Sequence, residues 1–263
     1  MENSNDHLLS TAKKALLILK SFTREEPELK VTDLAASLGL TKSNVSRLLA
    51  TLASEGFVTK DPVTQKYRLG LSIIELHAIL TSNMEIRREA EPYLNRLVDE
   101  IGETVNITVF KDKSVIDIIR INSKQPVQIV SHIHVLNPVH RTSAGKVFLA
   151  HQEEAAIQRY MQEGLEQDAV KRYRSPAQFR DMLHKVKEQG YAVSMEELLE
   201  GVATIAVPIW DYTGQVAYCL SILGPVHRFD PHNPAVIQKI KACAKHISRH
   251  AGYRGQTNQG KDK

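Results

Sequence analysis

The sequence predicts an α+β protein in two parts, a small winged helix-turn-helix followed by a larger domain of helices and antiparallel strands. Three observations predict it. Residues 31–52, VTDLAASLGLTKSNVSRLLATL, carry two short helical periodicities separated by one glycine. Residues 57–70 form two short β patterns about the turn Asp61-Pro62-Val63-Thr64. Beyond residue 85, helical stretches and alternating strand-like stretches interleave without an internal repeat.

Taken in order, the chain opens with a short polar tail, after which Leu16, Leu17, Leu19 and Phe22 make an amphipathic first helix able to cover the helix-turn-helix core. Leu34, Ala35 and Leu38 recur at three and four residues, as one face of a helix must. Gly39 ends that helix, because glycine enters the left-handed conformation without steric cost. Thr41 N-caps the next helix, whose buried face is Val45, Leu48, Leu49 and Leu52. What remains outside is Lys42, Ser43, Asn44, Ser46 and Arg47, donors and short polar groups suited to base edges and phosphates. Alone, this also fits an ordinary helical hairpin with a solvated face. The wing favours double-stranded DNA as the partner, since Lys60, Lys66 and Arg68 flank a turn tip that can reach phosphate or the minor groove.

Leu71, Ile74, Ala78 and Ile79 continue as a helix with no Gly/Ser linker, which predicts a rigid connection over residues 71–85. A helix over 86–102 follows, then strands at 105–109, 115–121 and 127–131 as an antiparallel meander. Residues 143–151, 153–162 and 176–188 read as helices. Residues 191–194, 203–210 and 215–223 read as strands, the last two joined by the turn 211–214. A final helix starts after Pro231 or Pro234 and runs to about residue 250. The expected division is thus a winged domain over 1–70, a linker helix over 71–85, a second domain over 86–252 and a disordered tail over 253–263.

With 263 residues, 42% hydrophobic and 24% charged, the chain has the composition of a soluble two-domain protein. It contains no apolar leader and no run long enough to span a bilayer, so a cytoplasmic protein without a membrane partner is expected. Cys219 falls in an apolar strand and Cys243 shares a helix face with Val236, Ile240 and Ile247, the pattern of reduced core thiols. The net charge of +4 is small for a DNA binder, but residues 42–68 hold five basic and two acidic side chains. So weak a positive stripe argues for affinity drawn from two half-sites, hence a homodimer or homotetramer.

Four segments resemble the IclR family of bacterial transcriptional regulators across nearly the whole chain. STAKKALLILKSF (10–22) is similar to that family's first helix, and LTKSNVSRLLATLASEGFVTKDPVTQKYRLG (40–70) to its recognition helix and wing. NPVHRTSAGKVFLA (137–150) resembles its Pro-x-His-x-Thr-x-x-Gly-Lys segment, and GYAVSMEELLEGVATIAVPIWD (190–211) its Gly-Tyr…Glu…Gly-Val…Ala-x-Pro segment. The resemblance implies a regulator, not an enzyme, with no cofactor and with a GAF-like second domain that binds a small-molecule effector.

Thr142 to Lys146 is where the residues themselves invite a ligand, because a Ser/Thr-led helix start presents free N–H groups to an anion. A plain N-cap with Gly145 needed for packing accounts for the bare pattern equally. The resemblance adds a carboxylate or aromatic acid, lined by Ser143, Ala144, Gly145, Ser194, Thr204, Ser221 and Leu223. Ile133, Val135, Leu223 and Trp210 are expected as apolar walls. Where the family often has Cys this chain has Thr204, where it often has Gly it has His134, and an acid near Ser194 is displaced to Glu196 or Glu197. Histidines 132, 134, 140 and 151 raise an alternative, a zinc-responsive regulator or metal-dependent enzyme built on His132 and His134, although no dedicated ligand spacing accompanies them.

Overall fold

A computed structural model describes residues 10–82, 84–111, 113–129, 135–163 and 175–254. The chain divides into two units, Met1–Met84 and Glu85–Lys263.

In the first unit, α1 (Ser10–Ser21), α2 (Val31–Leu38) and α3 (Lys42–Ser54) pack around Ile18, Leu34, Val45 and Leu49, none of which reaches solvent. Gly39 stops α2 at φ 64°, and Thr41 caps α3 by accepting the Asn44 amide at 3.3 Å. The first helix corrects the expectation: Ile18 is its buried anchor, while Leu16 and Leu17 face solvent. One buried position, with Ala15, Leu19 and Phe22 partly buried beside it, is enough here, because α1 covers the core with a narrow stripe.

Strands β1 (Val58–Lys60) and β2 (Tyr67–Leu69) form the antiparallel wing, with Thr59 opposite Arg68. Leu29, just before α2, exchanges both backbone hydrogen bonds with Tyr67, at 2.9 and 2.8 Å, and so ties the wing to the helical core. Asp61 shapes the wing turn by accepting the Val63 and Thr64 amides at 2.9 and 2.7 Å. The Thr64 hydrogen bonds, then that from Val63, hold its carboxyl below the usual range. Helix α4 (Ser72–Ser82) follows and buries none of its residues within the chain.

The second unit is built on one antiparallel sheet of described strands in the order β5-β4-β3-β8-β7-β6. These are β3 (Thr104–Lys111), β4 (Ser114–Ile121), β5 (Asn137–Pro138), β6 (Ala192–Met195), β7 (Val202–Trp210) and β8 (Val216–Pro225). One face carries Val105, Ile107, Ile205, Leu220 and Ile222, all buried, against α5 (Glu85–Ile101) and the last helix, α9 (Pro234–His250). The other packs Val115, Ala192, Ala206 and Cys219 against α6 (Ser143–Ala150), α7 (Glu154–Glu163) and α8 (Pro176–Gln189).

Two expectations change. Residues 127–129 are not in a strand, and residues 130–131 lie outside the described residues. The third partner of the expected meander is instead Asn137–Pro138, which pairs with Ser114 and Val115. The alternation along β3 also misled, since Thr104, Asn106 and Thr108 are as buried as their apolar neighbours. A central strand with helices on both faces has no solvent side.

Both cysteines are buried free thiols. Burial raises the Cys219 thiol well above its ordinary value and pushes Cys243 up to about 12. Neither thiol should react with an aromatic disulfide reagent in the folded protein at pH 8, and both should react in denaturant; rapid labelling of the native state would contradict the burial described here.

Candidate functional site

Two clusters of side chains are candidates, one in each unit. In the first, burial of Val45, Leu48, Leu49 and Leu52 turns the opposite face of α3 outward. Lys42, Ser43, Ser46 and Arg47 are exposed, and Asn44 is half-buried beside the Thr41 cap. Ser43 shares a hydrogen bond with the Thr41 hydroxyl at 3.2 Å, so its Oγ is already oriented by the cap. On the wing, Lys60 and Arg68 are exposed and Lys66 is half-buried, with Lys60 Nζ 5.7 Å from the Tyr67 ring centroid. Among the described residues, none of Lys42, Arg47, Lys60, Lys66 and Arg68 forms an ion pair. Cations left without protein carboxylates are what a polyanion requires, because each phosphate contact then releases a counterion without first breaking a salt bridge.

The second cluster surrounds the start of α6. All eight residues of this helix are buried, and Gly145 is demanded by contact: a Cβ there would sit 2.2 Å from the Val139 carbonyl oxygen. Thr142 caps the helix, its Oγ1 accepting the Gly145 amide at 3.0 Å. The amides of Ser143 and Ala144, one turn short of an intrahelical acceptor, find none among the described residues. Ser143 Oγ lies 2.8 Å from Thr204 Oγ1, so two of the expected residues meet across the helix–sheet gap. Thr204 stands opposite Ser194 on β6 and opposite Leu223 on β8, which brings these to the same sheet face. Ser194 Oγ donates to the Arg141 carbonyl at 3.1 Å. Ser221 lies on that face too, between Cys219, whose thiol contacts the Ala144 carbonyl at 3.6 Å, and Leu223. Its Oγ is buried and has no hydrogen-bond partner among the described residues.

Around this core stand Lys146 and Glu197, which the sequence reading names without pairing them, and Arg141, Asn106, Thr108, Asp117 and Arg120, which it does not single out. Lys146 Nζ is held between Glu197 Oε1 at 2.5 Å and the Val193 carbonyl at 3.0 Å, with Lys146 and Glu197 both buried. Arg141 Nε donates to the Glu197 carbonyl at 2.7 Å. On the neighbouring strands, Asn106 and Thr108 each donate to Asp117 at 2.8 Å, and Arg120 bridges Asn106 and Asp117 at 3.0 Å. The signal was an acid and a base, Asp117 and Arg120, inside the otherwise apolar stretch VIDIIRI. Only the paired strand shows that they are satisfied.

Other expected participants are elsewhere. Trp210 lies six residues along β7 from Thr204, about 20 Å at strand rise, and packs against His151 and Tyr253. Val135 is exposed, and Ile133, His132 and His134 lie outside the described residues. His140 Nδ1 is 2.7 Å from the Tyr160 hydroxyl, and His151 Nδ1 is 2.9 Å from the Val147 carbonyl, with burial lowering the His151 pKa. Among the described residues no group of three His, Cys, Asp or Glu side chains is placed to hold a metal ion. Glu196 turns away to accept the Gly201 amide at 2.8 Å, at φ 53°.

A family model for the bacterial transcriptional regulator IclR C-terminal region matches residues 78–249, and one for the IclR helix-turn-helix domain matches residues 11–62. The HTH-type transcriptional regulator XynR of Escherichia coli is 30% identical over 94% of this chain and 98% of its own length. The HTH-type transcriptional regulator KdgR of Dickeya chrysanthemi is 32% identical over 87% of this chain and 76% of its own. Among solved structures, an IclR transcriptional regulator from Alicyclobacillus acidocaldarius aligns with a TM-score of 0.80 at 26% identity, covering 94% of this chain and all of that one.

The buried Lys146–Glu197 pair makes a stability prediction. Lys146→Met or Glu197→Leu alone should cost about 3–5 kcal/mol, because each strands a charge in the interior, while the double substitution should cost less than the sum of the two. Denaturant unfolding of the full chain measures all three, and strictly additive losses would show that the pair is not coupled.

Proposed function

Because the chain belongs to the IclR family of bacterial transcriptional regulators, we propose that its first unit reads a near-palindromic operator as a dimer or tetramer and that its second unit binds a small organic or sugar acid that controls it. The protein is a DNA-binding transcriptional regulator, and its relatives are regulators, not enzymes. A regulator that reads a bacterial operator works in the cytoplasm, and we assign the protein to that compartment on this reading. No helix among the described residues is long and apolar enough to cross a membrane.

The observation that carries the DNA reading is the outward face of α3, polar and, among the described residues, free of ion pairs, with the cations of the wing likewise unpaired there. A helix of this kind fits the major groove, and its first two turns present Ser43, Asn44, Ser46 and Arg47 to base edges. Lys42, Lys60, Lys66 and Arg68 serve the phosphates. The Asn44 backbone amide bonds to the Thr41 cap, and the Ser43 side chain has less freedom than the sequence suggests, since its Oγ shares a hydrogen bond with the Thr41 hydroxyl. That restraint aids recognition, because fewer rotamers are lost on binding.

The dimer is supported by α4. Leu71, Ile74, Ile79 and Leu80 are each at least 60% exposed. A helix apolar on its free faces gains nothing from solvent, so a second copy of the same helix is its natural cover. The effector reading rests on the α6 start, where unpaired amides and a buried unpartnered hydroxyl await an acceptor.

Two measurements check this. Arg47→Ala should cost about 1–3 kcal/mol at one or two base positions of a selected operator, whereas Lys66→Ala should weaken all duplexes alike and lower the salt slope by about one; equal loss on every duplex after Arg47→Ala removes that side chain from base reading. Ile74→Glu with Leu80→Glu should shift the full-length protein to smaller species in light scattering and cut operator affinity by about 100-fold or more. An unchanged mass would remove α4 from the interface.

A further inference from the structure

We propose that Val63, at the tip of the wing, enters the minor groove beside each half-site and selects A·T over G·C pairs there. This rests on the reading of the first unit as the operator-binding unit. Val63 is 88% exposed, the highest value among the large hydrophobic side chains described. The wing itself gains nothing from it. Buried Val58 and Tyr67, with the Leu29 bridge, hold the two strands, and a turn favours Gly, Asn, Asp or Ser over a β-branched residue. Pro62 is exposed as well, so the hairpin ends in two adjacent apolar side chains.

The tip that carries them is rigidly built. The Asp61 amide donates to the Lys66 carbonyl at 2.8 Å and closes the turn. Asp61 Oδ1 accepts the Val63 and Thr64 amides at 2.9 and 2.7 Å. Gln65 holds φ 59°, a left-handed conformation costly to a residue with a Cβ, and its Nε2 donates to the Pro62 carbonyl at 2.7 Å. Strain of this kind is kept where a position matters, and here it fixes the backbone that presents Val63.

Charge and width identify the occupant. Lys60 and Lys66 stand on either side of the turn and Arg68 follows, none of them in an ion pair among the described residues. The single acid of the hairpin, Asp61, has its Oδ1 turned to the two amides. An apolar point between cations matches a groove with phosphate walls and a floor of base edges. That groove is about 6 Å wide, and paired strands lie about 4.8 Å apart before side chains are added. The hairpin therefore rests across the phosphates and only its tip goes in, as apolar side chains of minor-groove proteins do. Guanine alone places an amino donor on that floor. The amino group stands where a branched side chain would meet it, and neither Val63 nor the Pro62 ring offers it an acceptor.

Duplexes selected by the full-length protein from a random pool should carry A·T pairs just outside those read by α3. Replacing a flanking A·T by G·C should weaken binding about fivefold or more. Inosine·C, which lacks the amino group, should bind like A·T, and 2,6-diaminopurine·T, which adds it, like G·C. Val63→Ala, which keeps the backbone amide held by Asp61, should level these four flanks without altering discrimination at the positions read by Arg47, and Val63→Ile should retain the preference. A flank preference unchanged in Val63→Ala, inosine·C bound as weakly as G·C, or no flank preference in the unaltered protein overturns the assignment. If duplexes are still selected in that case, the operator reading stands; if none is selected and no salt-dependent duplex binding is found, both fall.

Discussion

A helix buried along its whole length cannot use water, and the second unit is organised by that constraint on α6. Every polar group the helix carries must be answered from within. Thr142 answers one amide, and the Val193 carbonyl with Glu197 answers the Lys146 ammonium. Thr204 answers the Ser143 hydroxyl. The close approach of Val139 leaves room only for glycine at 145. These conditions tie the turn before α6, the edge strand β6 and the loop after it into one arrangement around the helix start. What is left unanswered stands out against such thorough pairing, because buried N–H and O–H groups seldom remain single.

The first unit solves the opposite problem. Helix α3 must be held firmly on one side and left chemically idle on the other. Four aliphatic side chains and the Thr41 cap do the holding, and burial of that kind stabilises by about 1.5–3 kcal/mol per large side chain. Among the described residues the cations on the exposed side form no ion pair, so they meet phosphate without first surrendering one. The Leu29–Tyr67 bridge then fixes the wing against the same core, giving its lysines and arginine a defined origin.

How much of this was legible follows from the range of the interactions involved. Helix starts and stops were readable, because Gly39, Thr41, Pro176 and Gly190 act through their own backbone and one turn of chain. The turn at 211–214 was readable for the same reason. The polar residues of β3 were not, since alternation cannot distinguish a solvent face from a second buried face lined by a partner's acid. Nor was the strand partner of β4, because residues 127–129 have the apolar composition of a strand while Asn137 and Pro138 do not. At the candidate site, Ser143, Ser194, Thr204 and Ser221 came from a family resemblance. The contacts of Glu197 with Arg141 and Lys146 emerge only when residues about fifty positions apart are brought together.

Regulation imposes an energetic condition on this site. A ligand shifts an equilibrium only by the difference between its affinities for the two states, and about 1.4 kcal/mol of difference is needed for each tenfold change in DNA occupancy. One charge-assisted hydrogen bond made in one state and lost in the other is of that size. The loop between β6 and β7 is the element on which such a difference can act. It holds Glu196 at φ 53°, a conformation costly to a side chain with a Cβ, and it is kept there by Arg141 on the Glu197 carbonyl and Lys146 on the Glu197 carboxylate. A ligand at the helix start that moves the Arg141 or Lys146 side chain bears on one of those two restraints. The turn before α6 and the helix itself therefore both bear on the strained loop, which couples the helix start to that loop without a separate relay.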